Sequence, residues 1–345
     1  MAAVDREVDT SGIRYLVTGG SGFIGTNLLE VLLKQGATVS NLDWNPPLNP
    51  ALASCWQEVD LLDQRRLREA VLAFAPTHVV HLGARTDTED TDLDAYRQNH
   101  EGTRNLLEVL AECPTIERLI VTSTQFVCEA GYQPKDDLDF RPFTIYGESK
   151  RLTEVATRES RLSCAWTIIR PTTIWGPWSL RYRDAMFKVM RKGLYFHPGR
   201  KSVVRSYGYV GNVVWQILRM LELPKDQMHG KVLYVGDEPF DLKVWVEEVA
   251  RQLTGKRIRY IPTSLVRLLA IAGDGFKLLR LPFPINSGRY KSMTSDYITP
   301  MDRTIAAVGE APYSLAEGVR ATVEWYNDAS ERWAAGSRKD PRTPR

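Results

Sequence analysis

Apolar residues along the first 170 positions follow two alternating periods. Short β-branched runs predict strands: RYLVT from Arg14, TVSNLD from Thr38, HVVHL from His78, RLIVTS from Arg118 and WTIIR from Trp166, with a shorter one at WQEVD. Between them apolar positions recur every three to four residues over 22–35, 64–74, 93–113 and 146–161, which predicts helices. This β-α rhythm predicts a parallel sheet with helices on both faces, a fold that offers ligand sites at the carboxyl ends of its strands. After RPTTIWGPW the rhythm breaks. Shorter elements follow, punctuated at HPGRK, GDEPF, YIPTS and LRLPFP, although KVLYVG has the pattern of a strand returning to the main sheet. The stretch SLVRLLAIAGDGFKLLRLPFP could lie on a membrane surface; a helix that buries its apolar stripe in a smaller domain is the expected reading.

One local pattern adds chemistry. In YLVTGGSGFIGTNLLEVLL a strand runs into Gly19, Gly20, Gly22 and Gly25, and an apolar-periodic helix begins among them. Glycines there permit a tight turn, close approach of backbone to a pyrophosphate, and tight helix–strand packing; the helix N-terminus offers free N–H groups to phosphate. The strand before the motif and the helix after it supply the context that a bare G-x-G-x-x-G lacks. The next strand ends in SNLDW, which puts Asp43 where a carboxylate accepts from ribose hydroxyls; no base follows at once to neutralise a 2′-phosphate, so NAD is favoured over NADP. Asp60 falls at the end of the following strand, near the adenine.

These features predict an α/β, Rossmann-like doubly wound parallel sheet with a smaller, irregular C-terminal substrate-binding region. The expected division is a disordered extension over 1–12, an NAD-binding domain over 13–175 with part of the later chain returning to it, a mainly substrate-binding region over 176–330, and a flexible tail over 331–345.

Composition narrows the class. The 345 residues exceed one small core, and 43% hydrophobic with 25% charged residues is ordinary for a soluble enzyme. A net charge of +3, with no basic run interleaved with aromatics, argues against nucleic acid. Cys55, Cys113, Cys128 and Cys164 are scattered, as expected of reduced thiols in the cytoplasm, and the five histidines have no metal-ligand spacing. Neither a signal peptide nor a membrane-spanning run is evident.

The stretch PFTIYGESKR places Tyr146 and Lys150 four apart on one helical face, about one turn from each other. That spacing permits proton transfer without proving it. Together with TGGSGFIG at 18–25, HLGA at 81–84, VTSTQFVC at 121–128, YGESK at 146–150 and RPTTIWGP at 170–177, it resembles the extended short-chain dehydrogenase/reductase superfamily, the group of NAD-dependent sugar-nucleotide epimerases and dehydratases. The resemblance covers approximately residues 13–326.

It implies a catalytic set of Thr124, Tyr146 and Lys150, with Tyr146 as acid/base and Lys150 binding the nicotinamide ribose and favouring phenolate; Ser123 is held in reserve for the hydroxyl. It implies cofactor contacts from Gly19, Gly22, Phe23, Ile24, Gly25, Asp43, Asp60, Leu61, Leu82, Gly83, Ala84, Asn99 and Pro171 besides Tyr146 and Lys150, and substrate contacts from Arg85, Thr124, Gln125, Thr173 and Arg205. The helices over 93–113 and 146–161 resemble those that pair across a homodimer in this superfamily. The chemistry is consistent with that set. A phenol with pKa near 10 needs about 4 kcal/mol of preferential phenolate stabilisation to ionise readily at neutrality. A nearby ammonium and the positive nicotinamide could provide much of this in a dry site, and an Arg fork such as Arg205 suits a diphosphate.

Four departures from the family pattern occur, the last three bearing on the substrate. Cys128 stands at the usual Tyr. Asn212 in VVRSYGYVGNVV replaces an Asp common in sugar-nucleotide enzymes, and Thr173 stands where many carry Asn. Gln125 and Phe126 replace the Asp-Glu that dehydratases use, which disfavours a 4,6-dehydratase. Three readings remain: an NAD-dependent epimerase or oxidoreductase of a small-molecule substrate, a nucleotide sugar; an NAD(P)-dependent reductase or dehydrogenase of a hydrophobic alcohol resembling 3β-hydroxysteroid dehydrogenases, which Trp175, Trp178 and Trp215 mildly favour; and a non-catalytic NAD-binding regulator. No metal, nucleic acid or membrane partner is expected.

Overall fold

The computed structural model describes residues 12–278 and 285–335; the expectations made for residues 1–11 and 336–345 fall outside them. Seven strands build the main sheet: β1 Arg14–Thr18, β2 Thr38–Asp43, β3 Trp56–Glu58, β4 His78–His81, β5 Arg118–Thr122, β6 Ala165–Pro171 and β7 Lys231–Val235. Their order is β3-β2-β1-β4-β5-β6-β7, with every neighbouring pair parallel. The order reverses between β1 and β4, which opens a crevice at the carboxyl ends of those strands. The KVLYV run returns to the sheet as expected, pairing with β6.

Near-continuous burial along β1, β4 and β5 follows from coverage on both faces. Helix α1 Phe23–Lys34 follows β1, α2 Gln64–Phe74 follows β3, α3 Arg97–Ala111 follows β4, α4 Ile145–Glu159 follows β5, and α5 Val210–Glu222 precedes β7. Leu67 and Val71 of α2 and Leu106 and Leu110 of α3 meet Leu16, Val79, Leu119 and Ile168 of the sheet in one core cluster. The helix expected over 93–113 is divided. A 3-10 turn, Leu93–Tyr96, opens on Asp92, whose side chain accepts from the Asp94 N–H, and α3 follows.

The chain divides into two compact units. The first comprises residues up to Ile174, Ser206–Pro239 and Tyr297–Tyr313; the second comprises Trp175–Arg205, Phe240–Asp296 and residues from Ser314 on. In the second unit, Phe196–Pro198 pairs in parallel with Arg259–Ile261, and Val204–Arg205 pairs antiparallel with Phe240–Asp241. Helix Leu242–Thr254 packs on helix Leu315–Ala335. Trp175 is fully buried with its ring 5.6 Å from Trp245, and Trp178 lies 5.8 Å from Trp325. Trp175 is core material and Trp178 is half-buried against Trp325, so neither needs a hydrophobic substrate to account for it.

Candidate active site

The turn after β1 is built by glycines that cannot be replaced. Gly19 has φ +70°, and a Cβ on it would stand 2.5 Å from the Gly83 nitrogen; one on Gly25 would stand 2.5 Å from the Gly19 carbonyl. The backbone closes the turn through Gly19 N–H to Leu42 O and Gly22 N–H to Gly19 O. Helix α1 starts at Phe23 with Gly22 as its cap and no side chain across its end. The first-turn N–H groups of Phe23 and Ile24 thus have no capping side chain, the arrangement that suits a pyrophosphate.

Asp43 closes this cradle from the end of β2. One carboxylate oxygen accepts from the Ser21 N–H at 3.1 Å and the other from the Asn45 N–H at 2.9 Å, which aims the carboxylate beside the glycine turn. An open cleft of about 410 Å³ follows, lined by Trp44, Asn45, Glu58, Asp60, Asp63 and Arg66. Three carboxylates there favour an adenosine without a 2′-phosphate. On the other side, Leu61 packs where Cβ atoms on Gly83 and Gly102 would otherwise stand. The Leu82 and Gly83 N–H groups bond to Thr18. The residues present therefore fit NAD, with a cradle that any Cβ would fill and a carboxylate at the ribose position.

The residues expected to transfer protons stand at the carboxyl end of β5. Helix α4 opens on Thr144, whose hydroxyl accepts from the Gly147 N–H at 2.9 Å. A Cβ on Gly147 would lie 2.3 Å from the Phe126 carbonyl. The absence of one lets the first turn of α4 press against the turn Gln125–Val127 and brings Tyr146 to Thr124. Tyr146 is buried between Tyr96 and Phe126, with the Thr124 hydroxyl close enough to its phenol to lower the phenol's pKa. Burial pushes the phenol up to about 12, while the Thr124 hydroxyl pulls the other way. Lys150, one turn on, donates from Nζ to the Thr122 carbonyl at 2.8 Å, and burial pushes it down to about 7 against the attraction of Glu154. Desolvation is the largest cause of both shifts; the expectation that Lys150 and the positive nicotinamide together favour phenolate concerns the site with NAD in place.

Ser123 and Thr124 have separate tasks. The Ser123 hydroxyl donates to Glu154 at 2.6 Å, behind the site. Thr124 is the hydroxyl beside Tyr146, so the reserve role held for Ser123 finds no support. Thr124→Ala is expected to lower turnover by about 10²-fold through loss of that donor, whereas Ser123→Ala stays within a fewfold of the parent. Steady-state kinetics on the two variants checks this, and equal losses would overturn the assignment.

Lys150 also carries a pH signature. A lysine depressed in the folded state binds its proton more tightly when unfolded, so stability falls as pH drops from 10.5 toward 7, with the penalty complete below about 7. Lys150→Met removes that dependence. The melting-temperature difference between variant and parent, both free of NAD, is expected to move in the variant's favour across that window. A pH-independent difference in calorimetry would contradict it.

The remaining expected residues are placed as follows. Asn99 accepts the Arg85 N–H at 2.7 Å and donates to the Arg85 carbonyl and to Ser149 Oγ, both at 2.9 Å; it ties the loop after β4 to α4. The Arg85 guanidinium is engaged by Asp87, Asp90 and the Ala95 carbonyl, within its own loop. Gln125 donates to Thr173 Oγ1 at 3.1 Å, which brings two expected substrate residues together. Pro171 ends β6. Arg205 is buried and donates to the Ser295 carbonyl at 3.0 Å. Asn212 bonds Asp237 and both backbone groups of Tyr313, a structural cross-link. Cys128 is buried with its thiol toward the Asp139 carbonyl.

Sequence reading missed the support behind this set. Glu154, four residues beyond Lys150, is fully buried and accepts from Ser123, Arg158 and, by two nitrogens, Arg170. Its signal was a carboxylate in register with Tyr146 and Lys150 on a face of otherwise small residues.

A phosphate-binding glycine turn on a doubly wound sheet, with a Thr-Tyr-Lys set at the end of β5, defines an NAD-dependent enzyme of the extended short-chain dehydrogenase/reductase type. The model of the NAD dependent epimerase/dehydratase family matches residues 15–236, and the chain belongs to that family. The N-acetyl-alpha-D-glucosaminyl-diphospho-ditrans,octacis-undecaprenol 4-epimerase of Escherichia coli O157:H7 is 28% identical over 323 residues, covering 90% of this chain and 94% of its own. The 3-beta-hydroxysteroid dehydrogenase of Mycolicibacterium neoaurum is 28% identical over 298 residues, covering 79% and 78%. Among solved structures, UDP-glucose 4-epimerase of Thermotoga maritima, with UDP-glucose, aligns with a TM-score of 0.70 at 21% identity, over 92% of this chain and all of that one. That likeness speaks for the fold.

Proposed function

We propose that the protein oxidises and re-reduces a hydroxyl-bearing carbon of a nucleotide sugar through a keto intermediate, as an NAD-dependent epimerase or oxidoreductase. The observation that carries this reading is the buried Tyr146 one turn from Lys150, whose Nζ is held on the Thr122 carbonyl at the end of β5, in the same unit as the glycine cradle. Bound NAD supplies the hydride acceptor and, once the ketone has formed, the hydride donor. Thr124 orients the substrate hydroxyl, and Tyr146 takes its proton as hydride leaves the same carbon. When hydride returns to the carbonyl carbon, on either face, Tyr146 gives the proton back to the oxygen. Lys150 adds positive charge beneath the phenol. Gln125 and Thr173, bonded together, and Arg205 are the proposed substrate contacts.

The second reading is net dehydrogenation or reduction of a hydrophobic alcohol. The hydroxysteroid dehydrogenase relative supports it, as do Thr173 and Asn212 at positions where sugar-nucleotide enzymes carry other residues. NADH absorbance separates the two: the epimerase reading expects product without accumulating NADH, and stoichiometric NADH would transfer the proposal to the second reading. Mass spectrometry of small molecules retained by the purified protein is expected to find NAD and, on the first reading, a nucleotide sugar. Half-buried Leu152 and Val155 on α4 support a homodimer built on α3 and α4, and four free cysteines support a cytoplasmic location. Light scattering tests the dimer.

A further inference from the structure

The helix Thr263–Leu278 of the second unit is apolar on two faces. Val266 and Ala270 are buried against Ile285, with Leu269, Phe196, Ile261 and Tyr290 around them. That is the buried stripe expected from the sequence. A second stripe at helical spacing has no cover among the described residues: Leu265 is 46% exposed, Leu268 64% and Ile271 58%. Single exposed hydrophobics are ordinary, whereas three on one arc of a 16-residue helix form a patch of the kind that marks an interaction surface.

Charge identifies what the patch fits. Residues 263–294 carry Arg267, Lys277, Arg280, Arg289 and Lys291 against a single acid, Asp274, a net +4 in a chain whose total is only +3. Asp274 is committed to Ser287, accepting from its N–H at 3.0 Å and from its hydroxyl. Arg267, Arg289 and Lys291 are exposed. A twofold contact between copies would set each basic stretch against its like, which opposes self-association through this face.

We propose that this helix docks in the plane of an anionic lipid bilayer. Leu265, Leu268 and Ile271 enter the headgroup boundary, and the flanking bases face the lipid phosphates. Such a helix lies on the membrane without crossing it, in keeping with the absence, among the described residues, of any helix long and apolar enough to span. The proposal departs from the sequence expectation of no membrane partner, and it is independent of which substrate the site takes.

The test is co-sedimentation of the full-length, NAD-loaded protein with vesicles of phosphatidylcholine alone or with a quarter phosphatidylserine. Binding to the anionic vesicles is expected to be at least tenfold tighter than to the neutral ones and to weaken with salt. Leu268→Glu with Ile271→Glu is expected to weaken it at least tenfold while NAD retention stays unchanged. Arg267→Gln with Arg289→Gln is expected to weaken anionic binding alone. Parent protein that stays in the supernatant, or Glu variants that sediment like the parent, would overturn the proposal. So would Glu variants that change only the mass in light scattering, which would assign the face to a second copy.

Discussion

Tyr146→Phe is expected to lose about 10²–10⁴-fold in turnover, the range of a positioned acid–base group, while NAD binding stays within a fewfold of the parent. The cofactor cradle is built by Gly19, Gly25 and Asp43 on the first two strands, whereas Tyr146 stands on α4 at the end of β5. The hydroxyl removed is a single polar group beside Thr124, so stability is expected to change by only about 1 kcal/mol. The loss should fall on the chemical step, with the substrate's dissociation constant little altered. Single-turnover kinetics with equilibrium titration of NAD checks this. Turnover within tenfold of the parent would remove Tyr146 from the chemistry and revive the non-catalytic reading.

Glu154→Ala carries the largest expected effect on stability. Its carboxylate and the Arg170 guanidinium are 0% and 1% exposed, with contacts of 2.8 and 2.9 Å. Burial alone would lower the pKa of Arg170, but hydrogen bonding to and attraction by Glu154 outweigh it, and the net shift is upward. Removing the acid strands a buried cation, which costs about 3–5 kcal/mol, a large part of the 5–15 kcal/mol that holds an ordinary domain together. Deleting both charges with Glu154→Gln and Arg170→Met is expected to cost less than Glu154→Ala, because no unpaired ion remains. Denaturant unfolding of the variants measures the ordering. A single variant no worse than the double would show that the pair contributes little. The same substitution removes the carboxylate that raises the pKa of Lys150 against the effect of burial.

Much of this was legible in the chain itself. The strands Arg14–Thr18 and Thr38–Asp43 and the helix Gln64–Phe74 coincide with their periodic stretches to the residue, because burial of a strand or a helix face imposes a period that survives as residue order. The glycine turn, Asp43 and the Tyr146–Lys150 pair were equally visible, since local backbone geometry and one helical turn set their spacing. Where tertiary contact decides, the sequence was silent or ambiguous. It preferred Thr124 and held Ser123 in reserve; the different surroundings of the two hydroxyls appeared only when α4 laid Glu154 against one and Tyr146 beside the other. The direction of the phenol's shift likewise depends on desolvation, a property of packing in three dimensions.

The helix Thr263–Leu278 shows the same division. Its sequence announced an apolar helix, but periodicity cannot say which of two apolar faces a neighbour will cover. Packing buried Val266 and Ala270 and left Leu268 and Ile271 in water. By itself the sequence determined the elements, the dinucleotide cradle and the residues of the proton pair, because these rest on contacts within a turn or two of chain. The tertiary structure decided which hydroxyl faces the phenol, how burial moves its proton, and which apolar face has no cover among the described residues, because these depend on residues far apart in sequence.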